Sequence, residues 1–318
     1  MICPICNESN FITRDEIKCG NFDQSVLYDT VKLVSCVSCG HVQNKLTEKE
    51  KSLLSNYYLD EYAKCHGLFD IVIPEQPTNK LVIEQSNLST YLYTLTHFNT
   101  YNKFPFSNKF SEICLEQFIE HVIEPDTMFK QLSGMMNENG ILKISCPNAM
   151  YYVHYPFPNY YFLIREHIHH FIPKHLKELA LRFGFELCGW NENDIQIIKG
   201  VYMSNTEMTF KYTGKCIKQI SEIFLHTDIK KDVYIENSFD SCYGIGREYL
   251  YLHANNLIPQ TVNMLIDTTP IKHKYSIGGL KIVPEADLNN RKVFISAFAH
   301  KENIMIKLKN SYPLSQLL

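Results

Sequence analysis

The sequence predicts an α/β protein that opens with a cysteine module and continues through two units of alternating strands and helices. Three observations predict it. Two Cys-x-x-Cys pairs stand near the start, Cys3–Cys6 and Cys36–Cys39. Short apolar runs alternate with amphipathic runs from Lys80 to Trp190. A second, smaller alternation follows from Lys215. Alternation of this kind favours a parallel, doubly wound sheet.

The cysteine spacing lets each pair aim two thiolates at one ion from a tight knuckle, and four thiolates make a closed, structural zinc site. Gly40 follows the second pair, where the knuckle needs a residue tolerant of positive φ. A disulfide framework is the alternative, but Met1-Ile2-Cys3-Pro4 has neither a basic n-region nor an apolar h-region, so a reducing, cytoplasmic setting is expected. The other cysteines are scattered singly and read as half-buried core residues. Between the pairs, Ser25–Tyr28 and Val31–Ser35 read as short strands. Thr47 with Glu50 three residues on predicts a capped helix from about 47 to 58, and Tyr57, Tyr58 and Tyr62 form an aromatic cluster at its end.

Farther along, Lys80–Glu84 and Ile113–Leu115 read as strands. Pro125 opens a helix whose buried stripe is Met128, Phe129, Leu132, Met135 and Met136. Asn137–Gly140 ends it, and Ile141–Ser145 is the next strand. Pro173 starts another helix, with Leu176, Leu179, Ala180 and Phe183 on one side and Gly184 at its end. Phe185–Trp190 returns as a strand. The last third reads as a helix Cys216–Leu225, a turn at Gly244-Ile245-Gly246, a helix Glu248–Asn255, and strands Thr261–Ile266 and Lys292–Ala297. The Gly-x-Gly is weak evidence for a dinucleotide fingerprint, because Tyr249 takes the place of the third glycine.

Lysine and arginine number 31 against 34 acidic residues, and no long basic run appears. That argues against nucleic acid as the main partner, since phosphate binding needs a basic surface. No apolar run is long enough to span a bilayer, so no membrane partner is expected.

The order of these features resembles one family. A cysteine module ending Cys39-Gly40-His41-Val42-Gln43 is followed by Leu115-Glu116-Gln117-Phe118-Ile119-Glu120-His121-Val122, a Pro-led helix and a strand ending Cys146-Pro147-Asn148. Arg165-Glu166-His167-Ile168 comes next, before a helix ending Gly184-Phe185. Asp267–Lys272 and Ile277-Gly278-Gly279 extend the likeness into the last third. This is similar to the S-adenosylmethionine-dependent sugar C-methyltransferases. The resemblance implies three parts: a zinc-binding module (1–62), a methyltransferase-like Rossmann core (63–210) and a C-terminal Rossmann-like domain (211–318). It implies a nucleotide-linked keto-deoxysugar as substrate, held partly by the last domain. It also implies His167 as the base that removes the proton next to the ketone. Glu166 orients that imidazole, and His121 is a second group for acid/base work or enolate stabilisation. The implied metal ligands are Cys3, Cys6, Cys36 and Cys39. Such chemistry needs a base near neutral pKa and a donor for the developing oxyanion. By themselves the residues also fit satisfied core histidines, and His169 and His170 crowd the same segment.

The cofactor half of the family pattern is reduced. After Leu81-Val82-Ile83-Glu84 comes Gln85-Ser86-Asn87, and no glycine occurs from Leu68 through Ser133. Glycine in that turn lets the backbone approach the cofactor closely. Between Glu84 and Glu112 there is no acidic residue to hold ribose hydroxyls, and the stretch is short for the usual second strand and helix. The family's tyrosine two positions before Glu166 is Ile164. Three readings stay open: S-adenosylmethionine bound through a divergent loop, a cofactor-independent keto-sugar isomerase or epimerase, and a non-catalytic sugar-nucleotide binder.

Overall fold

A computed structural model describes residues 1–65, 68, 79–154, 163–192, 196–198, 201–203, 205–214, 239–285, 288, 291–311 and 316–317. At the N-terminus, strands Phe11–Lys18, Thr30–Cys36 and Val42–Asn44 form an antiparallel sheet. A distant pair, His169–His170, adds itself as the fourth strand against Val42–Asn44. The first strand escapes the sequence pattern because it is an edge: Arg14, Asp15 and Glu16 interrupt it and only Ile17 is buried. The strand expected at Ser25–Tyr28 does not form. That segment is the loop joining the first two strands, and Val26 is 76% exposed, so its apolar run meets no partner.

The helix Glu48–Tyr57 starts on the expected capping box. The Glu50 N–H donates to Thr47 Oγ1 at 3.3 Å, and the Thr47 N–H donates to Glu50 Oε2 at 2.7 Å. At its end the rings of Tyr57, Tyr58 and Tyr62 pack within 5.7–5.8 Å of one another.

The middle sheet has the order 80–83, 110–116, 136–147, 205–212, 185–192. Its first three strands are parallel, as expected. The sheet is not parallel throughout, which corrects the doubly wound expectation: Asn205–Tyr212 runs antiparallel between Met136–Pro147 and Phe185–Glu192. Strand alternation in a sequence does not reveal direction once a strand returns without an intervening helix. Between the first two strands lies one helix, Leu88–Tyr101, with Asn87 as its N-cap, in line with the shortened stretch read from the sequence. The Pro-led helices run Pro125–Met135 and Pro173–Arg182, and their predicted stripes are buried except Phe183, which is only partly so.

The last sheet is built on parallel strands Ser241–Tyr243, Met264–Ile266, Leu280–Val283, Lys292–Ile295 and Gln316–Leu317. Numbered along the chain, they lie in the spatial order 3-2-1-4-5. That is the strand order of an open Rossmann-like sheet, whose ligands sit at the carboxyl ends of the strands. The helix read at Glu248–Asn255 is Arg247–Ala254. The helix read at Cys216–Leu225 lies outside the described residues. Among the described residues no helix is long and apolar enough to cross a membrane.

Two apolar clusters share the cysteine module. One joins Cys3, Ile5, Cys36 and Cys39 to the middle sheet and its helices. The other joins Ile17, Val31 and Leu33 to Tyr249, Leu250 and Leu252 of the last domain. The module is therefore a wedge between two cores. Asp23 fastens it further by accepting from the Gly278 and Gly279 N–H groups at 2.9 and 3.2 Å. Gly20 marks the tightest approach: it stands at φ +71°, and a Cβ there would lie 2.2 Å from the Leu250 carbonyl oxygen. Gly20→Ala should destabilise the chain by roughly 2 kcal/mol or more, through strain at positive φ and overpacking. Urea denaturation checks this, and an unchanged midpoint would show that the two units do not meet so closely.

Candidate functional site

The segment Leu163–Ile168 has little regular structure of its own, and its shape is imposed by neighbours. Asn44 Nδ2 donates to the carbonyls of Ile164 at 3.0 Å and His167 at 2.9 Å. The Asn44 N–H donates to the Ile168 carbonyl at 2.8 Å, and the Ile168 N–H donates to the Glu120 carbonyl at 2.7 Å. Arg165, 6% exposed, sends its guanidinium back into the cysteine module, to the carbonyls of Gly20 at 3.0 Å and Tyr28 at 2.9 Å. Its Nε also stands 3.9 Å from Glu166 Oε1, so the two side chains pair at the same place.

The three residues singled out from the sequence come together. The His121 and His167 rings meet edge to face at 4.8 Å between centroids. His121 Nδ1 lies 2.7 Å from the Glu166 carbonyl oxygen and therefore donates to it. The buried Tyr58 hydroxyl stands beside the same nitrogen at 3.2 Å. This leaves His121 Nε2 as a lone pair. Burial pushes the His121 pKa down to about 4, so the ring is neutral near neutral pH and offers the site an acceptor rather than a donor. Glu120 had no role in the sequence reading, although it stands beside His121. Its carboxyl is buried, neither oxygen has a hydrogen-bond partner, and burial raises its pKa to about 8.

Glu166 is the member of the trio that reaches open space. Its carboxylate lines a cleft of about 800 Å³, together with Tyr57, Tyr62, Arg165, Arg247 and Lys272. The Tyr57 hydroxyl donates to Glu166 Oε1 at 3.3 Å. The opposite wall comes from the loops that follow strands Ser241–Tyr243 and Met264–Ile266, including Gly246 and Thr269–Lys272. Lys272 is fixed there by Asp267 Oδ2 at 2.9 Å and by the Ile245 carbonyl at 2.8 Å. Arg165, Arg247, Lys272 and Lys274 line the cleft with Glu61 and Glu166, so basic residues outnumber acidic ones in its lining. None of these basic residues was named from the sequence as a binding group. Their signal was adjacency: Arg165 precedes Glu166, and Arg247 follows the Gly-x-Gly turn.

His169 and His170 are separated from the trio by structure. His169 Nε2 donates to the Ile123 carbonyl at 3.3 Å, and its Nδ1 accepts from His41 Nε2 at 3.1 Å. His170 packs against Tyr152 and pairs in strand with Val42.

The four cysteines also converge. Cys3 and Cys39 are 3.5 Å apart at sulfur, as are Cys6 and Cys36, and all four sulfurs lie within 4.8 Å of one another in a buried group. Tetrahedral zinc at about 2.3 Å from each sulfur requires edges of about 3.8 Å, so the donor set and spacing fit that ion. Gly40 has the positive φ expected, +76°, and Asn7 takes the matching place after the first pair at φ +64°. The hydrogen bond with Cys39 brings the Cys3 thiol down to about 6 and pushes its partner up, the behaviour of two sulfurs sharing one proton.

The turn after Lys80–Ile83 is a short 3₁₀ segment, Gln85–Asn87, with exposed side chains in place of glycine. Tyr91, buried in the first turn of the next helix, sends its hydroxyl to the Gln117 carbonyl just beyond strand Phe110–Glu116. The ring thus lies between the loops that follow two adjacent parallel strands, where the cofactor of this fold class would approach the backbone.

Two outcomes follow from this geometry. Asn44→Ala should cost on the order of 2 kcal/mol and loosen residues 164–168, because buried carbonyls lose their donor; hydrogen exchange at the Ile168 amide reads the loosening. Burial holds the pKa values of His169 and His170 at about 4 and about 3, below the ordinary imidazole value of 6.5. The unfolded chain therefore takes up protons that the folded one refuses as pH drops below about 6.5. Stability from these rings is full above that pH and is lost progressively toward about pH 4. Urea midpoints measured along that range should fall, less steeply in His170→Asn.

Residues 39–188 match a family model described as a methyltransferase domain. No curated protein matches the sequence. Among solved structures, the chain is similar to a SAM-dependent methyltransferase from Methanosarcina mazei at 15% identity and TM-score 0.29, covering 35% of this chain and 64% of that one, under two thirds of its length. It is also similar to S-adenosylmethionine-dependent methyltransferases from Clostridium acetobutylicum (10% identity, 53% and 93% covered, TM-score 0.29) and Mesorhizobium loti (9% identity, 48% and 97% covered, TM-score 0.29). The match runs from the end of the second cysteine knuckle into the strand Phe185–Glu192, and over that stretch the chain is similar to a methyltransferase domain.

Proposed function

We propose that the protein is a methyltransferase-family enzyme that takes a nucleotide-linked keto-deoxysugar in the 800 Å³ cleft and removes the proton next to its ketone. The observation that carries this reading is the cleft itself: basic groups at the carboxyl ends of a Rossmann-like sheet, with Glu166 on the other side and its neighbour His167 packed on His121 outside that lining. The diphosphate would lie along Arg247, Lys272 and Lys274, and the aromatic walls of Phe22, Tyr57 and Tyr62 suit rings of the nucleoside or sugar. His167 is the base. It takes the α-proton while the C–H electron pair moves toward the carbonyl oxygen, and Glu166 and His121 set its orientation. Methylation of the resulting enolate is the family's reaction. Because the glycine turn is missing, its donor would need another mode of binding. Zinc held by Cys3, Cys6, Cys36 and Cys39 is structural in this reading, since four thiolates leave no open position.

Solvent deuterium wash-in at the carbon beside the ketone, followed by NMR on a nucleoside diphosphate-linked keto-deoxysugar, tests the base. Wild type should exchange, and His167→Ala should exchange about 100-fold more slowly or worse while still binding substrate. Calorimetry with the same compound should give heat that weakens with salt and in Arg247→Ala. Absence of both heat and exchange would remove the reading. Calorimetry with S-adenosylmethionine decides between methyl transfer and donor-free isomerisation through the same enolate.

A further inference from the structure

We propose that Glu120, His121 and His167 hold a divalent transition-metal ion of the zinc class, at a second site separate from the four cysteines. One donor atom from each of the three lies within 4.8 Å of the others, and all three residues are buried. His121 Nε2 and Glu120 Oε1 face each other at 3.8 Å. That is too long for a hydrogen bond. It is close to the edge of about 3.0–3.4 Å between two ligands of one ion bound at about 2.1 Å, so a small contraction closes the site.

Glu120 supplies the second argument. Both of its oxygens are buried without a hydrogen-bond partner, an arrangement that costs free energy unless something positive occupies the space. The third is the tautomer of His121. Its Nδ1–H is committed to the Glu166 carbonyl at 2.7 Å, which turns the Nε2 lone pair toward Glu120. A ligand histidine is oriented in this way, by a backbone carbonyl on its far nitrogen. Two imidazoles and one carboxylate, with a further position open, are the donor set of catalytic zinc and related ions.

The inference rests on the cleft reading for the position of substrate and changes one role in it. With the ion bound, His167 is a ligand. An ion there would supply Lewis-acid stabilisation of the developing oxyanion, and Glu166, the carboxylate on the cleft wall, would replace His167 as the group that takes the proton.

Cobalt(II) titration of the full chain, already loaded with one equivalent of zinc, tests the site without any substrate. The expected result is one further equivalent bound, with visible d–d bands and no thiolate-to-cobalt charge-transfer band. Glu120→Gln and His167→Gln should each weaken that uptake about 100-fold or more. Glu112→Gln, which alters a half-buried carboxylate paired with Lys80 and Lys143 outside the cluster, should not. Retained zinc and an unchanged circular dichroism spectrum show that the variants are folded. No second equivalent in wild type overturns the proposal, as does Glu120→Gln binding cobalt as tightly as wild type. The readout is independent of deuterium exchange, so the two readings can fail separately.

Discussion

One short pairing organises this molecule: strand Val42–Asn44 against His169–His170, with the Asn44 side chain gripping the carbonyls just before it. Val42 follows the second cysteine knuckle by only three residues, and His169 follows His167 by two. The antiparallel ladder and the Asn44 amide therefore transmit the position of the cysteine group directly to the Glu166–His167 segment. Remove that link and residues 163–168 lose the Asn44 donors, keeping the Arg165 contacts, the bond from the Ile168 amide to Glu120 and the contacts of Glu166 with His121 and Tyr57. An irregular segment can present side chains accurately only when its backbone groups are satisfied by rigid neighbours, and here those neighbours belong to another part of the chain.

Burial sets the chemistry that this scaffold can offer. His41, His121, His169, His170 and His175 are all held with lowered pKa values, and desolvation is the leading cause for each. A neutral imidazole is an acceptor and a ligand on one nitrogen and a donor on the other. The backbone carbonyls of Ile123, Glu166 and Cys39 each engage a ring nitrogen of His169, His121 and His175, which fixes the tautomer. At the same time burial raises Glu120. The interior near the cleft thus disfavours separated charge, while the cleft wall itself carries basic groups toward solvent.

Residues 39–188 match a methyltransferase domain model, and within them the Tyr91 hydroxyl donates to the Gln117 carbonyl between the loops that follow the first two parallel strands. Strand register and hydrophobic stripes specify a fold through many small apolar contributions, so they survive local change. A cofactor cradle depends on a few positions that must lack a Cβ. That difference in physical redundancy makes strands and stripes more tolerant of local change than a glycine turn is.

From its sequence alone the chain declares its cysteine group, the capped helix at Thr47, the three parallel strands, both Pro-led helices and the shortened cofactor stretch. Each is written in local spacing: two-residue gaps between thiols, a Ser/Thr–Glu cap, period-3.6 stripes and glycine counts. Roles for Glu166, His167 and His121 came only with the family resemblance, and Arg165 and Glu120 carried none. Only the tertiary structure decided that Asp23 would bind Gly278 and Gly279, that Asn205–Tyr212 would run antiparallel, and that His169 and His170 would be strand residues while His167 meets His121. It also decided that Glu120 would stand buried without a hydrogen-bond partner and that Arg247 and Lys272 would face Glu166. These are encounters between residues tens to hundreds of positions apart. Local periodicity carries no record of them, because burial and charge pairing are fixed only when separate elements close on one another.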